Sequence, residues 1–162
     1  MGPEAGQVGE AAASDLQNTP SRPSGAVART AARTAGIEPS SLQQNCSGKH
    51  AAMLATCRIN GWSIDDYLDG RHPLQVAITQ GIESLGAVVD HVGTDGCGAP
   101  THAFSLRELA AAFARLAAPG SAVSSAMTTH ATLVGGPTRD VTLWMHAVPT
   151  LIAKEGAAGV MA

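Results

Sequence analysis

The chain has 162 residues, 44% of them hydrophobic, which suits one folded domain and excludes a wholly disordered chain. Its net charge of −3 and its 3% of aromatic residues exclude a basic or base-stacking surface for nucleic acid. No apolar run approaches the ~18–20 residues of a membrane span, and the N-terminus lacks a secretory signal pattern, so a membrane is not an expected partner either.

The first elements in chain order are weak. Residues 1–26 are rich in Ala, Gly, Pro and Ser, which predicts a flexible or divergent lead-in before a single domain over residues 27–162. A short helix is predicted over Ala26–Ala35, because Gly36 and then Pro39 follow it and end it.

Two stronger helices come next. One is predicted over Lys49–Arg58 and is closed by Gly61. The segment from Cys46 to Lys49 therefore lies at its N-terminal end, where backbone amides and the helix dipole stabilise negative charge, including a thiolate. The other runs from Pro73 to about Leu85 and ends at Gly86.

A short buried strand is predicted over Val88–Thr94, with a turn at its end. The remaining elements are three helices, one loop and two strand beginnings. The helices are predicted over Ser105 (which opens a capping box) to about Ala117, Ser121–His130 and Asp140–Ala147. The loop is predicted over Leu133–Pro137, and strands are predicted to begin at Leu151–Ala153 and Val160–Ala162. This order predicts an α/β (α+β) fold that is helix-rich with a few short strands.

Two features concern the chain as a whole. The three-residue return strand and the loose start predict a fragment of a larger fold, with ordinary frayed termini as the alternative. The odd number of three cysteines argues against a disulfide scaffold and favours a reducing compartment, for which we expect the cytoplasm.

Lysine usage points to candidate functional residues. Of the ten basic residues, eight are Arg, and the two lysines are Lys49 and Lys154. Lysine can lose its proton in a suitable environment and arginine effectively cannot, so these two positions are candidates for chemistry. A compositional preference for arginine is the alternative interpretation.

Both lysines lie in glycine-flanked polar clusters, which cover residues 45–50, 93–100 and 153–159. Cys46 and Lys49 lie one helical turn apart, and Asp95 and Cys97 share a turn. If the two segments face each other, two thiols and a third donor can hold a borderline ion such as zinc. The alternative is that both cysteines are small buried hydrophobic residues.

Other candidates have structural interpretations. Cys57 and the methionines Met53 and Met127 are predicted to lie in the core. His50 and His102 adjoin the clusters and are expected to be structural, and His72 is expected at a helix entry. The sequence has no G-x-S-x-G, no S-x-x-K, no Walker loop and no dinucleotide fingerprint, so no organic cofactor is expected.

Four segments carry a family resemblance: NCSGKHAAMLATC, HPLQ, VGTDGCGAPTHAFSLRELAAAFARL and LIAKEGAAGV. Their order and the long GTDGCGAP run closely resemble the bacterial type II L-asparaginases of the thermolabile Rhizobium kind, over about residues 43–162. Residues 1 to about 40 match poorly. The resemblance implies a fold like that of serine β-lactamases, penicillin-binding proteins and glutaminases, and hydrolysis of L-asparagine to L-aspartate and ammonia.

The resemblance also implies roles for individual residues. Cys46, Lys49 and Cys97 match a metal-binding trio, for which zinc is the expected ion. Asp95 matches an acidic residue of the site, so we expect it to be a catalytic residue and to bind the substrate α-ammonium. Lys154 matches a catalytic or substrate-orienting lysine. Glu155 is its neighbour in the same motif, and the resemblance implies a site role for it less strongly. Backbone amides of the glycine-rich turns, at Gly96 and Gly98, are expected to bind substrate together with Lys49 and Asp95.

The chain departs from the family pattern in one important respect. The family uses a nucleophilic serine in an S-x-x-K motif, and this sequence lacks it. We therefore expect a truncated asparaginase that is inactive by itself. The alternatives are a glutaminase or another serine acyl-transfer enzyme of the same fold, and a non-catalytic metal-binding remnant. A homodimer is implied by the resemblance alone.

Overall fold

Seven helices and two strands follow one another along residues 15–162, the part of the chain that the computed structural model describes. In chain order they are α1 (Ala26–Thr34), α2 (Ser47–Asn60), α3 (Pro73–Ser84), β1 (His91–Thr94), β2 (Pro100–Ala103), α4 (Leu106–Leu116), α5 (Ala122–Thr129), α6 (Ala131–Gly135) and α7 (Asp140–Ala147). The mixed, helix-rich α/β character predicted from the sequence is confirmed. None of these helices has the length and hydropathy needed to span a lipid bilayer.

The chain divides into two compact units. The first takes the residues up to Gln80 together with His91–Ala103, and the second takes Gly81–Asp90 and Phe104–Ala162. Each unit has its own hydrophobic cluster of buried side chains.

The first unit is built around α2. Its inward face contributes Met53, Leu54 and Cys57, which pack with Tyr67 and other buried residues, so Cys57 and Met53 lie in the core as predicted. The helix ends at Gly61, which adopts a φ of +67°, a left-handed conformation that glycine reaches without strain.

The start of α3 confirms another expectation. The Nδ1 atom of His72 accepts the backbone N–H of Leu74 at 3.1 Å, and its Nε2 lies 3.1 Å from the carbonyl oxygen of Ser63. His72 therefore fixes the entry into the helix and satisfies a donor that has no partner within the helix.

The strand prediction is partly wrong. β1 is shorter than the predicted Val88–Thr94, and it is largely exposed rather than buried. Within residues 15–162 it pairs antiparallel with β2 alone, with His91 opposite Ala103, and none of its residues belongs to either hydrophobic cluster. The apolar residues Val88 and Val92 suggested a buried strand, but their side chains are 65% and 43% exposed.

Residues near the described N-terminus pack on the first unit. Asp15 pairs with Arg58 at 2.5 Å, and the buried amide of Asn18 donates to the carbonyl of Ser41 at 2.9 Å. Residues 1–14, which hold most of the predicted flexible lead-in, lie outside the described part of the chain, so that prediction is not decided there.

The second unit packs α6 against α7. Its cluster contains Ala131, Val141, Met145 and Ala153, and Met127 packs against it as predicted. The loop predicted over Leu133–Pro137 is wrong, because most of that segment is the end of α6.

Gly135 explains why this segment was predicted to be a loop and is instead part of a helix. A Cβ atom at Gly135 would lie 2.5 Å from Oγ1 of Thr142 and 2.6 Å from Cγ2 of Val141. The glycine therefore permits the close approach of α6 to α7, whereas the sequence alone suggests that it breaks a helix.

The last residues form a short paired segment. The backbone N–H of Lys154 donates to Ala162 at 2.7 Å, and that of Gly156 donates to Val160 at 2.7 Å. This pairing amounts to an isolated bridge between Glu155 and Met161, so neither of the strands predicted to begin at Leu151–Ala153 and Val160–Ala162 is formed in the described chain.

Candidate functional site

The turn between β1 and β2 positions two of the predicted site residues. The backbone N–H of Asp95 donates to Ala99 and that of Gly98 donates to Asp95, both at 2.8 Å. Gly98 has a φ of +90°, which lets the chain reverse within so few residues. The turn exposes the Asp95 carboxylate and buries Cys97, which is 1% exposed.

The start of α2 positions the other two predicted site residues, Cys46 and Lys49. Cys46 occupies the N-cap position, and its carbonyl accepts the N–H of His50 at 3.0 Å, which begins the helical hydrogen-bond pattern. The Cys46 N–H is accepted by Oε1 of Gln44 at 2.6 Å. Cys46 is half-buried, whereas Lys49 faces solvent with 38% of its side chain exposed.

These two segments meet. The sulfurs of Cys46 and Cys97 and a carboxylate oxygen of Asp95 all lie within 4.8 Å of one another. Nζ of Lys49 donates to Oδ2 of Asp95 at 3.0 Å, and Sγ of Cys97 donates to the same oxygen at 3.4 Å. The structure thus brings together four residues that the sequence singles out from positions about fifty apart in the chain.

The charges at this site are coupled. The hydrogen bond from Lys49 is the largest influence on Asp95, and together with the Cys97 thiol and the Gly96 N–H it holds the pKa of the carboxyl below its usual value. Desolvation lowers the pKa of Lys49, but its hydrogen bond to Asp95 and the neighbouring thiols outweigh this and raise it. Lys49 and Asp95 therefore form an ion pair at neutral pH.

Burial has the largest effect on the pKa of the Cys46 thiol. Burial raises the pKa of its thiol, and the nearby Lys49 charge offsets only part of this effect. Burial therefore has a larger effect on the pKa of Cys46 than the Lys49 charge, and stabilisation of a thiolate by the start of α2 stays a prediction.

The donor set fits a zinc ion. Two thiolates bound tetrahedrally at about 2.3 Å from zinc lie about 3.8 Å apart, which the observed 4.8 Å limit accommodates. Asp95 supplies an oxygen within this group, whereas Lys49 must lose its proton before its nitrogen can bind a metal. The residues can therefore hold one ion through both sulfurs and a third ligand.

The two glycines of the turn use their amides internally. The N–H of Gly96 donates to Oδ1 of Asp95 at 2.8 Å, and the N–H of Gly98 donates to the Asp95 carbonyl. Their contribution in the structure is to orient Asp95, and their role in binding substrate remains a prediction.

Lys154 lies in the second unit, so its placement is described within that unit. Its side chain is exposed, and Nζ donates to the carbonyl of Glu155 at 2.6 Å. The Glu155 carboxylate pairs with Arg139 at 3.1 Å. The catalytic role of Lys154 stays a prediction.

Sequence reasoning missed the partner of His50. The His50 ring is fully buried, and its Nδ1 lies 2.7 Å from the hydroxyl of Tyr67. That hydroxyl also accepts the N–H of Gln17 at 3.2 Å. The signal available was that Tyr67 is the single tyrosine of the sequence. His50 is buried and structural, as expected.

The fold and the site first define a class: in its described part the chain is a helix-rich α/β protein that brings two thiols, an amine and a carboxylate together in a group that could hold one metal ion. The family model for L-asparaginase II matches residues 7–162, and the chain belongs to this family. The match begins well before residue 43, so the expectation that the first forty residues match poorly is wrong. A comparison with curated proteins found no match to the chain.

Proposed function

We propose that the chain serves the hydrolysis of L-asparagine to L-aspartate and ammonia, on a fold related to the serine β-lactamases and glutaminases. The observation that carries this proposal is the L-asparaginase II family match across residues 7–162. The cluster of Cys46, Lys49, Asp95 and Cys97 supports it, because a zwitterionic amino acid needs charged groups at fixed positions.

Asp95 is the proposed anchor of the substrate. Its side chain is 43% exposed, so part of the carboxylate faces solvent while Lys49 donates to Oδ2 and the Gly96 N–H donates to Oδ1. The Lys49 charge keeps the carboxyl ionised, and an ionised carboxylate attracts the α-ammonium of asparagine. Lys49, when it is protonated and not bound to a metal, in turn attracts the α-carboxylate.

Cys46 and Cys97 are the proposed zinc ligands, completed by Lys49 or by Asp95. Zinc bound there would supply Lewis-acid polarisation of the substrate or help to orient it. The two possible zinc sites differ in charge. Asp95 as the third ligand adds a negative charge, whereas Lys49 as the third ligand is neutral and leaves Asp95 free to bind substrate. Asp95→Asn and Lys49→Met therefore distinguish them by their effect on zinc affinity.

Lys154 is the proposed proton carrier. Amide hydrolysis needs a base that activates the nucleophile and an acid that protonates the departing ammonia. Lys154 is one of two lysines in the chain, its side chain is exposed, and its ammonium donates to a single carbonyl. We assign it this role on the family resemblance and on that availability.

The missing S-x-x-K motif favours a second candidate. Without that serine the 162 residues contain the proposed ligands for zinc and substrate but not the expected nucleophile. We therefore propose that this chain binds L-asparagine and zinc without sustained turnover by itself, as a non-catalytic binding protein would. A glutaminase-like preference would appear as stronger binding of L-glutamine.

The test measures binding and turnover separately. Calorimetry should detect L-asparagine binding to the zinc-loaded chain, with weaker binding of L-glutamine and none in Asp95→Asn. Asp90→Asn, which changes an exposed carboxyl that lies outside the cluster, is the matched control and should bind normally. Absence of L-asparagine binding contradicts the proposed function. Sustained ammonia release that is lost in Lys154→Ala contradicts only the proposed inactivity.

A further inference from the structure

The two site cysteines lie close enough to react with each other. Their sulfurs are within 4.8 Å, they come from segments about fifty residues apart, and both are free thiols. We propose that Cys46 and Cys97 form a reversible disulfide, a modification site that disassembles the metal-binding group when it is oxidised. Only the consequence for zinc rests on the proposed function; the disulfide itself does not.

The exposure of the two thiols sets the order of the reaction. Cys46 is half-buried and reachable from solvent, whereas Cys97 is 1% exposed. A small disulfide such as oxidised glutathione therefore meets Cys46 first. The Cys46 sulfur attacks it, a mixed disulfide forms, and one glutathione leaves as its thiolate.

Cys97 completes the exchange. Its sulfur attacks the Cys46 sulfur of the mixed disulfide, and the second glutathione leaves. Two protein thiols and one oxidised glutathione thus become one protein disulfide and two reduced glutathione molecules, with both thiol protons transferred to the glutathione products. Two electrons pass from the protein to glutathione, so the step balances without another reactant.

The third cysteine provides a built-in comparison. Cys57 is fully buried on the inward face of α2 and is not a member of the close group formed by Cys46, Asp95 and Cys97. A small oxidant cannot reach it in the folded chain. The expected product therefore retains one free thiol, that of Cys57.

Oxidation removes the metal-binding chemistry. Zinc binds thiolates, and a disulfide sulfur carries no such charge, so the oxidised pair leaves only Asp95 and Lys49, which already neutralise each other. Conversely, zinc held by both sulfurs blocks their attack on glutathione. Zinc binding and disulfide formation at this site are thus expected to exclude each other.

The test counts and locates thiols. The reduced, metal-free chain is incubated with oxidised glutathione at mildly alkaline pH, unfolded, alkylated and mapped by mass spectrometry. We expect two of the three thiols to be lost, a linked pair of peptides containing Cys46 and Cys97, and an alkylated Cys57. Reduced glutathione in excess should restore all three.

Variants sharpen the result. Cys57→Ala should lose both remaining thiols, whereas Cys97→Ser should stop at a mixed disulfide on Cys46. A stable mixed disulfide in the unmodified chain, or a bridge that includes Cys57, overturns the proposal.

Zinc added before the oxidant should prevent the loss of thiols. If the reduced chain binds no zinc, the proposed metal site fails, and the peptide map still decides whether the disulfide forms.

Discussion

The hydroxyl of Tyr67 joins two parts of the first unit. It contacts Nδ1 of the buried His50 at 2.7 Å and accepts the N–H of Gln17, an exposed residue, at 3.2 Å. His50 also begins the hydrogen-bond pattern of α2 through the carbonyl of Cys46. The start of the helix that carries the site is therefore held from inside the core.

Tyr67→Phe should lower the free energy of unfolding by about 1–3 kcal/mol, because it leaves a buried His50 nitrogen and the Gln17 amide without their partner. Urea denaturation measures this loss. In His50→Leu/Tyr67→Phe the cost should be smaller than the sum of the single variants, since both polar partners are removed together. Strict additivity would show that the two groups do not interact.

Asp69 provides a pH-dependent contact at the surface. Hydrogen bonds from the Arg71 guanidinium, and then from its backbone N–H, lower the pKa of Asp69 from 3.8 to about 2. Because the pKa is lower in the folded chain, the contact stabilises the fold above pH 3.8, and this stability is lost as the pH falls through about 2.

Asp69→Asn tests this sign. The substitution retains an acceptor for the Arg71 amide but removes the charge. The unmodified chain should be more stable than the variant at neutral pH, and the difference should vanish on acidification towards pH 2. Urea midpoints measured across this range provide the comparison, and a difference that persists at the lowest pH contradicts the assignment.

Among elements, the turn between β1 and β2 depends on one glycine. Gly98→Ala places a side chain at a φ of +90° and should destabilise the chain by about 1–2 kcal/mol. Because the same turn presents Asp95 and Cys97, zinc affinity should fall as well. Thermal unfolding and a zinc titration measure the two effects.

Gly96→Ala is the matched control two residues away. A Cβ atom there meets nothing within 4 Å, and Gly96 has no positive φ. It should therefore retain near-normal stability and zinc affinity. Equal losses in both variants would show that the turn tolerates neither side chain and that conformation is not the cause.

Local signals determined which elements could be predicted. The capping box at Ser105 is present, with its side chain accepting the Glu108 N–H, and α7 has the predicted bounds. α6 and β2 were missed because they depend on neighbouring elements. The close contact of α6 with α7 needs a glycine at position 135, and Pro100–Ala103 forms a strand by pairing with β1. Such contacts are invisible to a reading of local pattern.

The site was predicted in part for the same reason. The types and spacings of Cys46, Lys49, Asp95 and Cys97 indicated one shared group, and the structure brings them together. The balance of charge could not be predicted, because the burial that raises the pKa of Cys46 follows from tertiary packing. The same holds for the Tyr67 contact of His50.

At the level of the whole molecule, the two hydrophobic clusters predict separate responses to core mutations. Leu54 is fully buried in the first unit, so Leu54→Ala should cost about 2–5 kcal/mol. Hydrogen exchange should then increase most in α2. Val141→Ala, in the cluster of the second unit, should instead affect α6 and α7 most.

Fluorescence offers a second measurement of this difference. The chain has two tryptophans, Trp62 in the first unit and Trp144 in the second. Trp62 packs against the cluster that contains Leu54. In a Trp144→Phe variant, the fluorescence of Trp62 should therefore change when Leu54 is replaced by Ala. An equal rise in exchange throughout both units after Leu54→Ala would contradict the expected separation.

The scarcity of lysine has a practical consequence for anyone who handles this protein. Reagents that couple dyes, polymers or sensor surfaces to side-chain amines find only Lys49 and Lys154. The first is paired with Asp95 beside both thiols, and the second is the proposed proton carrier. Such conjugation would block the groups under study, so immobilisation through an added affinity tag is the suitable route.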